Sequence, residues 1–357
     1  MKFVKLAGAL VSVILVLSGV VAWWFYSSLN TTVEHDKSQT YIAIERGTSP
    51  GQIITKLETE GIVSDSLPLR LYLRTFADTS KMQAGDYRFP SPISALGVLK
   101  ELEKGSVQTK RITIPEGFTR FDIAKRIGDV FPQDPPLTED QLLLLMNDTS
   151  AIKDLAPQAR NLEGYLYPST YDLSPDAKPE EVVEKAVEQF KKVWKPEWTE
   201  RARQLGRTPH EIVTIASLIE TESPLESERP IVASVIYNRL SKSIPLGIDQ
   251  TAVYIAKMEK RWDGTIHKSD LDSTSPYNTR KYGGIPPGPI SSVSVSAIEA
   301  ALNPVQTDYI YYVLNVQKND GSHHFYASAV DFERGKAEYQ RWLTEQRRLK
   351  RESEANN

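Results

Sequence analysis

An uncharged apolar run near the start of the chain constrains the fold more than any other feature. It covers residues 6–25 (LAGALVSVILVLSGVVAWWF). An α-helix rises about 1.5 Å per residue, so a run of this length spans roughly 30 Å, the thickness of a hydrocarbon core. The sequence therefore predicts a transmembrane helix over residues 6–26.

The residues that flank this run predict its orientation. Lys2 and Lys5 precede it, and Trp23, Trp24 and Tyr26 close it with side chains that favour the membrane interface. Because positive charge is retained on the cytoplasmic side, we expect a cytoplasmic N-terminus and an exported remainder. A cleaved signal peptide is the alternative, but its apolar region would be shorter and small residues would mark its cleavage site.

The composition excludes several classes of function. The 357 residues include 43 Lys+Arg and 46 Asp+Glu, a net charge of -3, so the basic excess typical of nucleic-acid binding is missing. The sequence has no cysteine, which excludes disulfides, thiolate metal sites and a cysteine nucleophile. The five histidines show no metal-ligand spacing. We expect no cofactor, no metal and no nucleic-acid partner.

Short strands alternate with short helices over residues 41–130 and predict a small α+β module. Residues 41–44 alternate like a strand, and a turn with a helix cap at residues 47–50 precedes apolar residues at helical spacing. Residues 27–40 are polar without an apolar period and predict a spacer. The further predicted elements are strands at 84–89 and 111–115, and helices at 69–76, at 94–103 and from Thr119.

The remainder predicts a connector and a second domain. Residues 131–160 are rich in Pro and Asp, with a Leu run that predicts one helix. Residues 161–345 form the predicted second α+β domain, and residues 346–357 a charged C-terminal tail. The predicted fold class is therefore α+β, with an N-terminal transmembrane helix, a small first module and a larger second domain.

The segment 207–223 predicts one well-defined helix. Thr208 is its N-cap, Pro209 its first residue, and Glu211 completes a capping box. An apolar stripe follows, and at about 100° per residue Glu220 and Glu222 lie on opposite flanks of that stripe. Only one of the two carboxylates can therefore face a given cleft.

A carboxylate beside a buried apolar surface is desolvated, which raises its pKa. Such a group can remain protonated near neutral pH and donate a proton to a glycosidic oxygen. The alternative is that both glutamates are solvated charges at a helix end, and periodicity does not distinguish the two.

Three other segments have the composition of loops that line a cleft. Their Tyr, Asn and His side chains are suited to stacking on sugar rings or hydrogen-bonding them. The alternative is a half-buried strand for the first segment below, a surface connection for the second and a strand cap for the third. The segments are residues 163–171 (EGYLYPSTY), residues 275–280 (SPYNTR) with 283–290 (GGIPPGPI), and residues 321–326 (GSHHFY).

A set of motifs resembles the endolytic murein transglycosylase family (MltG, also called YceG-like). The resemblance covers nearly the whole chain in the same order, including the apolar N-terminal run. The motifs are residues 84–89 (AGDYRF), 115–117 (PEG), 163–164 (EG), 168–171 (PSTY), 216–222 (ASLIETE), 227–229 (SER), 232–240 (VASVIYNRL), 275–279 (SPYNT) and 284–290 (GIPPGPI).

The resemblance implies a LysM-like peptidoglycan-binding module over 41–130 and a lysozyme-like catalytic domain over 161–345. It implies that Glu222 is the catalytic acid/base. The supporting or substrate-binding residues would be Glu220, Ser223, Glu163, Tyr167, Asn238, Arg239, Asp249, Tyr277, Asn278, His323 and Phe325. The chain departs from the family at Gln250, where a Pro is usual, and at Thr221, where a Lys is common.

The implied reaction cuts the bond between N-acetylmuramic acid and N-acetylglucosamine and leaves 1,6-anhydro-muramyl ends. The implied location is the bacterial inner membrane, with peptidoglycan strands as substrate and peptidoglycan synthases (penicillin-binding proteins) and the elongation or division machinery as partners. One alternative is an inactive membrane-anchored peptidoglycan-binding scaffold. Another is a hydrolytic muramidase, for which Asp249 or Glu163 would be the second carboxylate.

Overall fold

A computed structural model describes residues 2–45, 47–105, 109–174, 177–318 and 320–355. It contains helices and short strands, which confirms the predicted α+β class. By contacts the chain divides into two compact units. Unit 1 comprises Met1–Lys110 and Asp172–Pro175, and unit 2 comprises Arg111–Tyr171 and Asp176–Asn357.

In the part of unit 1 that the structure describes there are two small antiparallel sheets and four α-helices. β1 pairs with β4, and β2 pairs with β3. The elements, in chain order, are α1 (Lys2–Asn30), β1 (Thr32–Val33), β2 (Ile42–Ile44), α2 (Pro50–Thr59), α3 (Ser66–Thr75), β3 (Gly85–Tyr87), β4 (Ile93–Ser94) and α4 (Ala95–Lys104).

Helices α2 and α4 begin where the sequence places them, whereas α3, predicted over residues 69–76, begins at Ser66 after the cap Asp65. Ser49 and Gln52 form a capping box at the start of α2, and Ser94 caps α4 by accepting from the Gly97 amide at 3.1 Å. Gly105 ends α4 with a φ of 99°, a conformation that favours glycine. These predictions are confirmed because cap chemistry is local and readable from sequence.

The first helix, α1, is longer than the predicted span. Over Ser12–Asn30 it is long and apolar enough to cross a membrane, judged by length and composition. Its last turns join the hydrophobic core of unit 1, where Leu29 is buried and Phe25 is half-buried. Residues 27–40 were predicted as a spacer, but in the structure they take part in the packing and strand pairing of unit 1. β1 pairs with β4, and His35 donates two hydrogen bonds, from its amide to the Ser91 hydroxyl and from Nε2 to the Pro90 carbonyl.

Unit 2 is mostly helical. β5 pairs with β6 and β7 pairs with β8. The elements that follow α4, in chain order, are β5 (Lys110–Ile114), α5 (Arg120–Val130), α6 (Glu139–Leu145), β6 (Ser169–Leu173), α7 (Pro179–Val193), α8 (Pro196–Gln204), α9 (Pro209–Glu222), α10 (Arg229–Ser241), α11 (Gln250–Met258), α12 (Lys268–Leu271), α13 (Val295–Leu302), β7 (Tyr311–Leu314), β8 (His323–Tyr326) and α14 (Ala329–Ala355). Lys110 of β5 and residues 172–173 of β6 belong to unit 1 by contacts.

Helix α9 is the centre of unit 2. It packs against α8, α10, α11 and α13, and its residues from His210 to Glu220 are buried except Glu211. Thr208 and Glu211 form the predicted capping box, with the Thr208 amide donating to Glu211 at 2.8 Å. The predicted helix and its start are confirmed. A helix buried on nearly all sides places its C-terminal residue at a fixed position.

Two segments pack differently from the arrangement that the sequence predicted. Helix α5, predicted within the first module, packs against α6 and lies in unit 2. The Leu run of the predicted connector forms α6 and buries Leu142 and Leu143. The charged C-terminal segment continues α14 as far as Ala355, and residues 356–357 of the predicted tail lie outside the described residues.

Candidate active site

Glu222 is the last residue of α9 and is half-buried. The helix ends there because Ser223 adopts an extended backbone, and the Ser223 hydroxyl donates to the Leu225 carbonyl at 2.9 Å. The Tyr312 hydroxyl donates a hydrogen bond to Oε2 of Glu222 at 2.6 Å. The carboxyl is therefore held from one side and partly open to solvent on the other.

The β7–β8 hairpin supplies this tyrosine. Tyr312 lies opposite Phe325, and Leu314 lies opposite His323. Alternate residues of a strand share a face, so Tyr312, His323 and Phe325 project from one side of the hairpin. Their rings are in contact, with centroids 5.4 Å apart for Tyr312–His323 and 6.0 Å apart for Tyr312–Phe325.

Burial raises the pKa of Glu222, and three charged groups modify it. The hydrogen bond from Tyr312 lowers the pKa, the negative charge of Asp249 raises it, and His323 and Arg239 lower it. Burial is the largest of these effects, so the pKa stays above its ordinary value. Of the two alternatives that the sequence left open for the glutamate pair, this is the desolvated carboxylate.

Arg239 and Asn238 attach helix α10 to the start of β7. Nε of Arg239 donates to the Ile310 carbonyl at 2.6 Å, and Nδ2 of Asn238 donates to the Thr307 and Tyr309 carbonyls at 2.7 and 2.9 Å. These donors are occupied by backbone oxygens. Their structural effect is to fix the hairpin that carries Tyr312.

Asp249 and His323 each have a charged partner. Arg280 donates to Asp249 through Nε at 2.8 Å. Nδ1 of His323 lies 2.8 Å from Oε2 of Glu228, and the His323 amide donates to Oε1 of the same carboxylate at 2.9 Å. These pairs fix both side chains in the surroundings of Glu222.

Glu220 faces the opposite side of α9 and has different surroundings. It is buried, pairs with Arg229 at 2.6 Å, and accepts from the Ser294 amide at 2.9 Å. Arg229 also donates to the Ser223 carbonyl at 3.4 Å. The predicted separation of Glu220 and Glu222 on the helix is thus confirmed. Through these bonds to Arg229 and Ser294, Glu220 connects α9 to α10 and to the start of α13.

A family model described as the YceG-like family matches residues 42–338. That match covers most of the chain.

The chain belongs to the YceG-like family.

Relatives and a solved structure agree with this assignment. The chain is 29% identical over 334 residues to a protein named endolytic murein transglycosylase from Bacillus subtilis (strain 168), covering 89% of this chain and 90% of that protein. A protein of the same name from Streptococcus pneumoniae serotype 2 (strain D39 / NCTC 7466) is 29% identical over 336 residues, which cover 85% of this chain and 59% of that longer protein. The crystal structure of a YceG-like protein from Listeria monocytogenes covers 82% of this chain and 97% of its own, with 28% identity and a TM-score of 0.55.

Two residues of the YceG-like motifs, Glu163 and Tyr277, lie away from Glu222. Gly164 packs against Val213, which precedes Glu222 by about 13 Å along the axis of α9. Glu163 accepts from the Arg120 amide at 3.0 Å and from the hydroxyl of Tyr254. The structure therefore does not bring Glu163 to Glu222 as a second carboxylate.

A cavity of about 200 Å³ adjoins this second cluster. It is lined by Tyr254 and Tyr277, whose ring centroids are 5.0 Å apart, and by His210 at the start of α9. Nε2 of His210 lies 3.2 Å from the Pro287 carbonyl and must donate to it, so Nδ1 accepts from the Tyr165 hydroxyl at 2.7 Å. This network fixes the glycine- and proline-rich loop against α9.

The remaining predicted residues have structural partners. Asn278 is buried, and its Nδ2 donates to the Leu271 and Ser273 carbonyls at 2.9 and 2.8 Å. Tyr167 is half-buried, and burial together with the negative charge of Glu116 raises its pKa. Tyr167 therefore lies beside the Pro115-Glu116-Gly117 turn of the family pattern.

Sequence reasoning missed Tyr312, the residue in direct contact with Glu222. It lies in a run of apolar and aromatic residues whose composition predicts only a strand. The signal that could have found it is the period of two. If the strand of His323 and Phe325 pairs with residues 311–314, alternation places only one of Tyr311 and Tyr312 on the same face as those two candidates.

Proposed function

We propose that this chain is an endolytic lytic transglycosylase with Glu222 as its acid/base. It cleaves the bond between N-acetylmuramic acid and N-acetylglucosamine in peptidoglycan strands. The curated relatives named endolytic murein transglycosylase support the reaction class. The observation that carries the assignment to Glu222 is a half-buried carboxyl with a raised pKa, held by Tyr312 at the end of a buried helix.

In the first half of the reaction, Glu222 acts as an acid. Its raised pKa favours the protonated form of the carboxyl, which transfers its proton to the glycosidic oxygen. The bond between that oxygen and the muramyl C1 breaks, and the muramyl N-acetyl group supports the positive charge at C1.

In the second half, the Glu222 carboxylate acts as a base. It removes the proton of the muramyl 6-hydroxyl, whose oxygen bonds to C1 and closes the anhydro ring. The proton returns to Glu222, so the enzyme is restored and no water is consumed. Tyr312 donates to the carboxylate form and therefore stabilises Glu222 between the two halves.

The proposal extends to the whole chain. We infer that unit 1 is a LysM-like glycan-binding module and that unit 2 carries a lysozyme-like cleft. α1 anchors the chain in the bacterial inner membrane, with its N-terminus in the cytoplasm and unit 2 outside. Such a location suits the release of nascent strands beside peptidoglycan synthases. The apolar length of Ser12–Asn30 supports the anchor.

A hydrolytic muramidase is the rival that a specific observation favours. Asp249 lies close enough to Glu222 for its charge to raise the Glu222 pKa, and a hydrolase needs a second carboxylate. However, Asp249 is paired with Arg280, which makes it a weaker base for activating water. The two reactions differ in their products, since hydrolysis leaves reducing ends.

The test uses the detergent-solubilised full chain, purified peptidoglycan and mass spectrometry of released ends. The wild type is expected to release anhydro-muramyl ends, and Glu222→Gln is expected to lower their release by about 10²–10⁴-fold. Glu226→Gln is the matched control, because this exposed glutamate follows α9 closely and should leave release unchanged. Equal loss in both variants, or none in Glu222→Gln, would remove Glu222 from the proposed role.

A further inference from the structure

Helix α3 in unit 1 has an exposed face that combines apolar and basic side chains. Leu67, Leu71 and Phe76 are 54%, 44% and 69% exposed. Leu67 and Leu71 lie one turn apart, and Arg70 and Arg74 flank them on the same exposed side. The helix contains no acidic residue. Apolar and basic side chains on one exposed face are typical of helices that lie in a membrane interface.

The opposite face of α3 packs on the core of unit 1, and that core includes the end of α1. Leu69 and Leu73 of α3 are buried in one cluster with Leu29 of α1, and Phe25 packs against this cluster. Residues of α1 from Ser12 to Trp24 are exposed. The same helix thus changes from an exposed apolar segment to a core element of unit 1 within about one turn.

This change occurs at the level where the membrane interface is expected. Trp23, Trp24 and Tyr26 are exposed aromatic residues at the end of the apolar run, and such residues favour the level of the lipid headgroups. Phe25 lies between them and touches the core of unit 1. Leu29 follows by about 6 Å along the helix axis, so the core of unit 1 begins at the headgroup level.

We propose that unit 1 is seated on the surface of the membrane that α1 crosses, with the exposed face of α3 in contact with lipid. This inference rests on the proposed membrane anchor. Leu67, Leu71 and Phe76 enter the boundary between headgroups and acyl chains, and Arg74 pairs with anionic headgroups. Since α1 packs directly against α3 and α4, the first module follows the orientation of the helix instead of moving on a flexible tether.

The absence of cysteine from the sequence makes a site-specific probe possible. Leu71→Cys in the full chain is labelled with an environment-sensitive fluorophore and reconstituted into vesicles of zwitterionic lipid with or without anionic lipid. Nitroxide-labelled lipid and aqueous iodide are the two quenchers. Leu144→Cys is the matched control, because this leucine of α6 is 64% exposed and its helix carries Glu139 and Asp140.

The expected result is quenching of the Leu71 probe by nitroxide lipid, protection from iodide, and the reverse pattern at position 144. Arg74→Gln should weaken the lipid quenching in anionic vesicles and have little effect in zwitterionic ones. A Leu71 probe quenched by iodide overturns the seating. A probe protected from both quenchers means that protein covers α3, which also overturns it.

Flotation of the vesicles separates this inference from the proposed function. A full chain that fails to float with vesicles overturns the membrane anchor and the seating together. A chain that floats, releases anhydro-muramyl ends and yet exposes position 71 to iodide overturns the seating alone. Comparable lipid quenching at positions 71 and 144 also contradicts it, because exposure alone would then explain the contact.

Discussion

Tyr312 adjusts the proton affinity of Glu222, because its hydroxyl donates to the charged form of that carboxyl. This hydrogen bond lowers the Glu222 pKa against the larger effect of burial, which raises it. A hydrogen bond to a charged group contributes about 1.5–3 kcal/mol. At the residue scale, the proposed acid/base role of Glu222 therefore depends on desolvation and on the hydrogen bond from Tyr312, which shift its pKa in opposite directions.

Removing that phenol gives a testable shift. In Tyr312→Phe the carboxylate loses its donor, so the Glu222 pKa rises further. Glu222 must be protonated to begin the reaction, and the alkaline limb of the pH–rate profile should therefore move to higher pH. The maximal rate should fall by roughly 10- to 100-fold, as expected for a lost hydrogen bond of this size. A slower enzyme with an unmoved alkaline limb would assign Tyr312 a purely structural role.

Glu163 gives a separate prediction about stability. Burial raises its pKa from 4.5 to about 7, so the folded state binds its proton more tightly than the unfolded chain. The free energy of unfolding should therefore fall as pH rises between these two values, by roughly 3 kcal/mol. Glutamine cannot titrate, so Glu163→Gln should show a smaller fall between about pH 5 and about pH 8. Chemical denaturation at both pH values checks this, and equal falls would contradict it.

At the element scale, close packing between the loop at Gly164 and α9 determines where the Glu163 cluster lies. Gly164 has a φ of +82°, and a Cβ there would lie 2.6 Å from Cβ of Pro289 and 2.9 Å from Cγ1 of Val213. Such distances are shorter than real contacts. The loop, the helix and the proline-rich segment can meet only around a glycine.

Substitution by alanine tests this contact. Gly164→Ala should lower the free energy of unfolding by about 2–4 kcal/mol, from overpacking and the left-handed backbone together. Gly206→Ala is the matched control, with a φ of +67° and no atom within 4 Å of the added Cβ. It should cost only the backbone term of about 1–2 kcal/mol. Equal losses in thermal or chemical unfolding would show that crowding at Gly164 is unimportant.

Elements with local signals were predictable from the sequence. The capping box at Thr208 and the apolar repeat that follows it define α9 without reference to the rest of the chain. The opposite orientation of Glu220 and Glu222 follows from helix geometry. Tyr312 was not predictable in the same way, because its contact with Glu222 depends on how a distant hairpin docks on the helix end.

At the scale of the whole molecule, the sequence predicted the α+β class and the apolar N-terminal helix but not the packing of that helix. Leu29 is a single apolar residue among polar neighbours, so residues 27–40 carry no period that signals a core contact. The position of Glu163 was not predictable for a related reason. Its aromatic neighbours suggest a cleft but contain no information about which end of α9 the loop adjoins.

In the proposed function, unit 1 binds the same peptidoglycan strands that unit 2 cleaves. One carboxyl suffices when the acceptor of the second step is the 6-hydroxyl of the same sugar. A hydrolase would place an oxygen from water on C1, whereas the proposed reaction uses an oxygen that the strand already contains. The source of that oxygen therefore distinguishes the proposed enzyme from its closest rival.

The most direct measurement is digestion of peptidoglycan by the full chain in water labelled with heavy oxygen, followed by mass spectrometry of the new muramyl ends. We expect anhydro ends that lack the label and whose formation requires Glu222. Reducing ends that carry heavy oxygen would contradict it and would indicate a muramidase in which a second carboxylate activates water.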